Sequence, residues 1–386
     1  AMPPGCHMKG AVMEKGPSPW GFSPHEPCPC VSGDITLSRQ ARSLWGKSDG
    51  GEGACWLPLY MHMLDSAGIA GYLWDEWLPE GTRALFVRAL GGDPCCARRL
   101  ACFIAGVHDI GKATPSFQGM PCGKGGFTLD YRPRKAGLPF RPEVTGHRRV
   151  AHPMGSYLVL LDILVRDYGW QAACAESIAA VVGGHHGKPP AGEDDPVKIR
   201  AEVMPQVYGL GWDKESAEGW TSVQAELVAM VALAAGLTHE ELAGFANTFV
   251  PAPVASLLTG YVIMADWLAS DQTLSPLVSN GYDDEGEDDR NLRTQPSTWD
   301  DASRQVASAW RRAGLIPAWH EDAVSNAPID DLYRNRFGFS ESMHPRPMQR
   351  AAVEAARSVE KPGLMIIEAP MGEGKTEAAL AAAEIL

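Results

Sequence analysis

Phe103-Ile104-Ala105-Gly106-Val107-His108-Asp109-Ile110-Gly111-Lys112 is the most informative segment of this chain of 386 residues. An apolar stretch with helical spacing ends here in an adjacent histidine and aspartate. A buried aspartate needs a partner, and a metal ion is an effective one. Because neighbours at a helix end point about 100° apart, His108 and Asp109 can reach two sides of a metal site. Gly111 would permit a tight turn that brings Lys112 over the same pocket.

Further histidines and an aspartate lie in apolar helical surroundings, where such groups are uncommon. They are His62, His152, the pair His185-His186 and Asp266. Each alone has an ordinary structural explanation, such as a helix histidine with its hydrogen bonds made inside the fold, or a salt-bridge partner. His147 is an alternative to His152 for the same role. Taken together along a helical chain, they predict a metal site. Mixed imidazole and carboxylate ligands favour Fe, Mn, Co, Ni or Zn over Ca or Mg.

The composition predicts a globular protein with a sizeable core, since 45% of the residues are hydrophobic and 21% are charged. The net charge of −13 argues against a protein that coats duplex DNA through bulk charge. It leaves open nucleic acid held in a local groove or by a metal. The nine cysteines include no C-x-x-C pair, which favours reduced thiols in a cytoplasmic protein over a structural zinc site.

The pattern of apolar residues predicts a mainly α fold from about Ser38 to Ser270. The predicted helices are Leu57–Trp77, Cys95–Ile110, His152–Tyr168, Cys174–Val182, Ser222–Leu237 and Val254–Ala269. The longest apolar run, Leu227–Leu237, is too short to span a bilayer. We predict an irregular N-terminus at 1–34, a helical domain at 35–272, an acidic linker with a bridging helix (Trp299–Ala313) at 273–340, and the start of an α/β domain at 341–386.

The C-terminal part contains a candidate phosphate-binding loop, Glu368-Ala369-Pro370-Met371-Gly372-Glu373-Gly374-Lys375-Thr376. A short buried strand is predicted before it and an alanine-rich helix after it, which is the context such a loop requires. Amides around Gly372 and Gly374 would form an anion nest at the helix N-terminus. Lys375 would reach the β- and γ-phosphates, and Thr376 would ligate Mg²⁺.

The form A-x-x-G-x-G-K-T resembles superfamily 2 helicases. Pro347-Met348-Gln349 is similar to their adenine-reading motif, with Phe337 or Phe339 as a stacking partner for the base. The resemblance implies a RecA-like domain that begins here and binds ATP with Mg²⁺ in a longer protein. The helicase part would be incomplete in this chain.

His108-Asp109, with a histidine before and an aspartate after, resembles the signature of the HD phosphohydrolase superfamily. Further segments are similar to the nuclease domain of the type I CRISPR-associated helicase-nuclease family. They are Trp45-Gly46-Lys47-Ser48, His62 with Asp65, Phe117-Gln118, His185-His186-Gly187 and Ala265-Asp266-Trp267-Leu268-Ala269-Ser270. Pro153 is a departure, because the family often has an acidic residue after this histidine.

This resemblance implies two divalent metal ions bridged by Asp109. One would also be held by His62, His108 and Asp266, and the other by His152, His185 and His186. Fe, Mn, Co or Ni are favoured, with Mg or Zn as alternatives. Lys112 would stabilise charge on a scissile phosphate, and Ser270, Phe117 and Gln118 are further candidates for substrate contacts.

The implied function is cleavage of single-stranded DNA in type I CRISPR interference, coupled to an ATP-driven helicase. The substrate would be the strand displaced when a guide RNA pairs with its target. A guide-RNA surveillance complex is the implied partner, a protein inhibitor is a further candidate, and no membrane is involved.

Two loops, Pro115–Gly146 and Gly183–Pro196, are candidates for a DNA channel, because basic and aromatic residues alternate in and beside the first. These are Lys124, Arg132, Arg134, Lys135, Arg141, Arg148 and Arg149, with Phe117, Phe127, Tyr131 and Phe140. An exposed loop without a ligand is the structural alternative.

Two other functions stay open. One is an HD phosphohydrolase that acts on nucleotides or cyclic dinucleotides, against which the helicase-like segment argues. The other is a fragment that acts as a binding module for the surveillance complex or an inhibitor.

Overall fold

The computed structural model describes residues 32–50, 55–123, 126, 128–140, 150–188, 207–208, 214–279, 292–315, 327–359 and 364–386. The chain forms two compact units, Ala1–Ile316 and Pro317–Leu386. The helix Trp299–Ala313, which we had predicted in a linker, is part of the first unit. The acidic run at 283–289 lies outside the described residues.

The first unit is built mainly from helices, so the predicted fold class is confirmed. The helices are α1 Arg39–Ser43, α2 Leu59–Tyr72, α3 Glu80–Ala89, α4 Pro94–Gly106, α5 Pro115–Gln118, α6 Tyr131–Lys135, α7 His152–Tyr168, α8 Ala172–Gly183, α9 Lys214–Ala234, α10 His239–Gly244, α11 Ala252–Ser270 and α12 Trp299–Ala313. A π-helical segment, Leu73–Trp77, extends α2, and a 3-10 turn, Ile110–Lys112, follows α4.

Helix α2 lies at the centre of the core and is buried over almost its whole length. It packs against α4, α11 and α12, which explains why most of its residues are apolar. Glycines allow the close crossings. A Cβ at Gly106 would lie 2.5 Å from Val231 and 2.9 Å from Ala67, and a Cβ at Gly68 would lie 2.8 Å from Val306.

A small antiparallel sheet closes one side of the unit, with the order β1 Trp45–Ser48, β2 Cys55–Pro58 and β3 Val278–Ser279. Lys47 is opposite Leu57, and Trp56 is opposite Val278. The sequence pattern does not indicate this sheet, and the predicted helix start at Leu57 is wrong, because Leu57 lies in β2. The strands have only two to four residues, which is too short for an alternating pattern to be recognised.

Helix α11 is, by length and composition alone, apolar enough to cross a membrane. Core helices of globular proteins share these properties, and α11 packs against α2 and α8. Its Asp266 points toward histidines of other helices.

The second unit contains α13 Ile329–Phe337, α14 Pro347–Arg357 and α15 Lys375–Ile385 around a small apolar core. The predicted buried strand before the loop is wrong. Residues 364–370 form no strand, and the side chains of Leu364 and Ile366 are 87% and 78% exposed. A strand needs a neighbour for its backbone N–H and C=O groups, and the described part of this unit provides none.

Candidate metal centre

The histidines and aspartates predicted as metal ligands come together at one place in the first unit. His62 lies on α2, His108 and Asp109 follow α4, His152 begins α7, His185 and His186 follow α8, and Asp266 lies in the last turn of α11. The ligand atoms form two groups, within each of which all lie within 4.8 Å of one another: His62, His108, Asp109 and Asp266 in the first, and His152, His185 and His186 in the second.

In the first group, the two histidines lie around one carboxylate oxygen of Asp109 and one of Asp266. His62 Nε2 lies 3.0 Å from Asp109 Oδ2 and 3.3 Å from Asp266 Oδ1. His108 Nε2 lies 3.4 Å from each of the same two oxygens. Four ligand atoms therefore face a common centre.

The second group faces the other oxygen of Asp109. His152 Nε2 and His185 Nε2 lie 3.5 Å and 3.6 Å from Asp109 Oδ1. His152 Nε2 also lies 3.2 Å from His186 Nε2. Asp109 thus presents Oδ2 to the first group and Oδ1 to the second.

The donor atoms of this centre fit a divalent cation. His62 Nε2, His108 Nε2, His185 Nε2 and Asp109 Oδ1 are buried and form no well-aligned hydrogen bond. Such atoms are costly to bury unless a ligand satisfies them. The Nδ1 atoms of His108 and His185 lie 2.7 Å and 2.6 Å from the carbonyl oxygens of Ala105 and Val182. These contacts fix each ring so that Nε2 points to the centre, as in established metal sites.

The electrostatics keep the carboxylates ionised. Burial opposes ionisation of Asp109, but the charges of Lys112 and His108 outweigh it and hold the pKa of this carboxyl well below its usual range. The pKa of Asp266 is also lowered, because its close contacts with His108 and His62 outweigh burial. Both residues therefore offer anionic oxygens at neutral pH.

The histidines differ between the groups. Burial lowers the pKa of His152 to about 3 and that of His185 to about 4, so both imidazoles are neutral and able to bind a metal. Burial also disfavours a charge on His108, but Asp109 and Asp266 outweigh it and raise its pKa to about 10. A cation in the first group would take the place of that proton.

Lys112 lies at the edge of the centre, with Nζ 2.6 Å from Asp109 Oδ2. Gly111 before it does not adopt the left-handed conformation expected for a tight turn. Its missing side chain instead allows close packing, because a Cβ would overlap the His152 carbonyl oxygen and lie 2.7 Å from the Gly155 carbonyl carbon. The Gly111 N–H also donates to Ser156 Oγ at 2.9 Å. Ser156 is a residue of this site that the sequence does not predict, although the small residues Gly155-Ser156 near the start of α7 are consistent with a close contact.

Gln118 and Phe117, which we had predicted to contact substrate, are buried. Gln118 Nε2 donates to the carbonyl oxygens of Trp45 and Lys112, both at 2.8 Å, and its Oε1 accepts from Trp45 N–H at 3.1 Å. The Phe117 ring packs against Trp45, with a centroid distance of 4.4 Å. In this structure both residues brace the centre, and the Gln118 amide has no polar group left for a substrate. Ser270 Oγ donates to Asp266 Oδ1 at 2.7 Å.

The candidate DNA loops are described only in part. The Arg132 guanidinium stacks on Trp56 at 3.7 Å, and Arg134 pairs with Asp130 at 2.7 Å and lies over the Phe140 ring. These contacts are internal to the unit. Lys124, Phe127, Arg141, Arg148, Arg149 and residues 189–196 lie outside the described residues.

The candidate phosphate-binding loop of the second unit leads into α15, whose first residue is Lys375. Gly372 and Gly374 adopt φ angles of 83° and 77°, as an anion nest requires. Lys375 Nζ donates to the carbonyl oxygens of Ala369 and Pro370. Thr376 is exposed.

Gln349, the predicted adenine reader, is buried and braces this loop. Its Nε2 donates to the Gly374 carbonyl oxygen at 3.2 Å, and its Oε1 accepts from Arg346 N–H at 2.9 Å. Phe337 and Phe339, the predicted stacking partners, pack against Tyr333 in the core of the unit.

Known proteins match this chain along most of its length. The family model described as "Cas3, HD domain" matches residues 45–275. The CRISPR-associated nuclease/helicase Cas3 of Streptococcus thermophilus is 32% identical over 342 residues, which are 86% of this chain and 33% of that protein. The CRISPR-associated endonuclease/helicase Cas3 of Thermus thermophilus is 31% identical, over 91% of this chain and 33% of that protein. The chain thus spans about a third of the length of these relatives.

A solved structure described as a CRISPR-associated protein has the same fold. It has a TM-score of 0.65 and 29% identity, and the match covers 92% of this chain and 35% of that one. The matched range of the family model contains every residue of the metal centre. From the match of sequence, fold and site, we conclude that this chain belongs to the Cas3 HD-domain family.

Proposed function

We propose that the first unit is a metal-dependent nuclease that cleaves single-stranded DNA in type I CRISPR interference. The observation that carries this proposal is the position of Asp109, whose two oxygens face two separate groups of histidines. Such an arrangement suits a pair of ions that share one carboxylate. Relatives whose names describe them as nucleases support the choice of reaction.

The residues divide into two ligand sets. His62, His108 and Asp266 would hold one ion, and His152, His185 and His186 the other, with Asp109 between them. Bound metal ions would polarise the phosphodiester and supply a hydroxide nucleophile. Imidazole-rich sets favour Mn, Fe, Co or Ni, with Zn or Mg as alternatives.

The protein's own residues prepare this reaction. Asp109 and Asp266 stay ionised, and His152 and His185 stay neutral, so no proton has to leave these four before metal binds. Lys112 would neutralise charge on the scissile phosphate when it exchanges its contact with Asp109 for the substrate. Ser270 would orient Asp266 through its hydrogen bond.

The second unit fits the start of a RecA-like helicase domain, with Gly372, Gly374, Lys375 and Thr376 as the site for ATP and Mg²⁺. Gln349 would hold the glycine-rich loop in place through Gly374 and would not contact the adenine base. For the whole protein we propose a cytoplasmic location and a guide-RNA surveillance complex as partner.

Metal analysis combined with a cleavage assay tests the nuclease proposal. We expect two divalent ions per chain and cleavage of single-stranded DNA with Mn²⁺, Co²⁺ or Ni²⁺. Asp109→Ala should abolish both metal occupancy and cleavage, because each ligand set loses a carboxylate oxygen. Asp300→Ala, which removes an exposed aspartate on α12, is the matched control and should behave as wild type. Full cleavage by Asp109→Ala would refute the assigned centre.

The alternatives are separable in the same experiment. Faster hydrolysis of nucleotides or cyclic dinucleotides than of single-stranded DNA would favour a small-molecule phosphohydrolase. Absence of any hydrolysis by the metal-loaded protein, with partner binding intact, would favour a binding module.

A further inference from the structure

Lys47 is a charged residue near the metal centre that the proposed reaction does not yet use. It lies on β1, opposite Leu57 of β2. Its side chain is half-buried. Within the described ranges of the first unit, its ammonium forms no hydrogen bond and no ion pair, whereas Lys112 is paired with Asp109.

The charges that act on Lys47 belong to the metal centre. Burial, and after it the charge of Lys112, lowers the pKa of Lys47, while Asp266 and Asp109 act in the opposite direction. The strand itself lies beside the centre, because Trp45 packs against Phe117 and the Phe117 ring centroid lies 5.7 Å from that of His152. A half-buried cation without a partner is best stabilised by an anion that arrives from outside.

The backbone that carries Lys47 is held firmly in place. Gln118 binds both the N–H and the carbonyl oxygen of Trp45, and the same amide binds Lys112. A Cβ at Gly46 would lie 3.3 Å from Leu59 Cα, so the strand packs directly on the start of α2. Ser48 Oγ donates to the Cys122 carbonyl oxygen at 2.5 Å. Lys47 is thus carried by a strand that is held in place, and one buried amide joins the segments that carry both lysines.

We propose that Lys47 binds a phosphate of the polynucleotide backbone beside the metal centre and acts as a second substrate cation next to Lys112. This inference rests on the proposed nuclease function and assigns to it a residue for substrate binding. A lysine ammonium donates to phosphate oxygens without reading the base. Lys47 would therefore contribute affinity and position the strand, without sequence preference.

Substitution of Lys47 tests the inference by binding and by kinetics. Lys47→Met removes the positive charge and keeps a side chain of similar length. Lys47→Arg keeps the positive charge. Arg88→Met, at an exposed position of α3, is the control for the same change in net charge. The probe is a fluorescein-labelled oligothymidylate, measured by anisotropy with metal-stripped protein, followed by steady-state cleavage with metal-loaded protein.

We expect Lys47→Met to weaken binding and raise KM about tenfold, as for loss of one charge-assisted hydrogen bond. The slope of log affinity against log salt should fall by about 0.7, the value for one phosphate contact on a single strand. Arg88→Met should leave the affinity, the KM and the salt slope unchanged. Lys47→Arg should keep most of the wild-type affinity. Metal content should stay at the wild-type level in all three variants.

Several results would overturn the inference. One is that Lys47→Met binds the oligonucleotide with wild-type affinity and salt slope. Another is that Lys47→Met loses bound metal, which would indicate a structural role. If the wild-type protein binds the oligonucleotide but cleaves nothing with any metal, the nuclease proposal fails. The change in affinity on Lys47→Met then still decides whether Lys47 is a phosphate-binding residue.

Discussion

Gly111 shows how one residue controls the geometry of the centre. It separates Asp109 from Lys112 and packs against the first turn of α7, which carries His152. Its N–H binds Ser156, and its Cα hydrogens occupy space that no larger residue can share with the backbone of α7. The distance between the two ligand groups therefore depends on the absence of a side chain.

Gly111→Ala should destabilise the protein, because the atoms that the new methyl group meets are backbone atoms that cannot turn away. We expect the free energy of unfolding in urea to fall by about 3 kcal/mol and binding at the second group to weaken. Gly81→Ala is the matched control, since a Cβ there meets nothing within 4 Å. An unchanged urea midpoint for Gly111→Ala would show that the backbone of α7 can move.

At the scale of elements, a buried ion pair joins helix α2 to the segment that precedes α12. Arg293 Nη1 and Nη2 lie 3.1 Å and 2.5 Å from the two oxygens of Asp65 on α2. Arg293 Nη1 also donates to Gln305 of α12 at 3.3 Å. The side chains of Arg293 and Asp65 are only 10% and 7% exposed. The pair therefore fixes α12 against the helix that carries His62.

Arg293→Met should leave the Asp65 carboxylate buried without its charge partner. We expect a loss of about 3–5 kcal/mol in the free energy of unfolding, measured by urea denaturation. Arg304→Met, which removes an exposed pair with Asp301, should leave the free energy of unfolding nearly unchanged. The double variant Asp65→Leu/Arg293→Met should regain much of the stability. Equal losses in the two single arginine variants would contradict a special role for the buried pair.

At the scale of the whole molecule, the two units have separate cores. The metal centre and its bracing residues belong to Ala1–Ile316, and the phosphate-binding loop belongs to Pro317–Leu386. Because each unit buries its own apolar residues, the first should be stable without the second.

A chain that ends at Ile316 should therefore keep two metal ions and the cleavage rate of the longer chain. Metal content, thermal unfolding and the cleavage assay with single-stranded DNA would be compared between the two chains, with Lys375→Ala in the longer chain as a control. Loss of metal from the shortened chain would show that the second unit contributes to the centre.

The sequence by itself predicted most of the longer helices and a candidate set of ligand residues. Helix α7 and helix α12 have the bounds that their apolar spacing and end residues predicted. His62, His108, Asp109 and Asp266 were recognisable because charged or imidazole groups in apolar segments need a partner. Both predictions depend only on residue type and spacing, which are local properties of the sequence.

Only the tertiary structure decided which atoms meet. It showed that the two oxygens of Asp109 face different groups, that Gly111 is needed for close packing, and that the buried Gln118 amide joins the strand of Lys47 to the turn of Lys112. Each of these facts joins residues from different elements, and the distances between them depend on how several helices pack at once. Packing of this kind leaves no periodic pattern in the sequence, so it appears only when the helices are assembled.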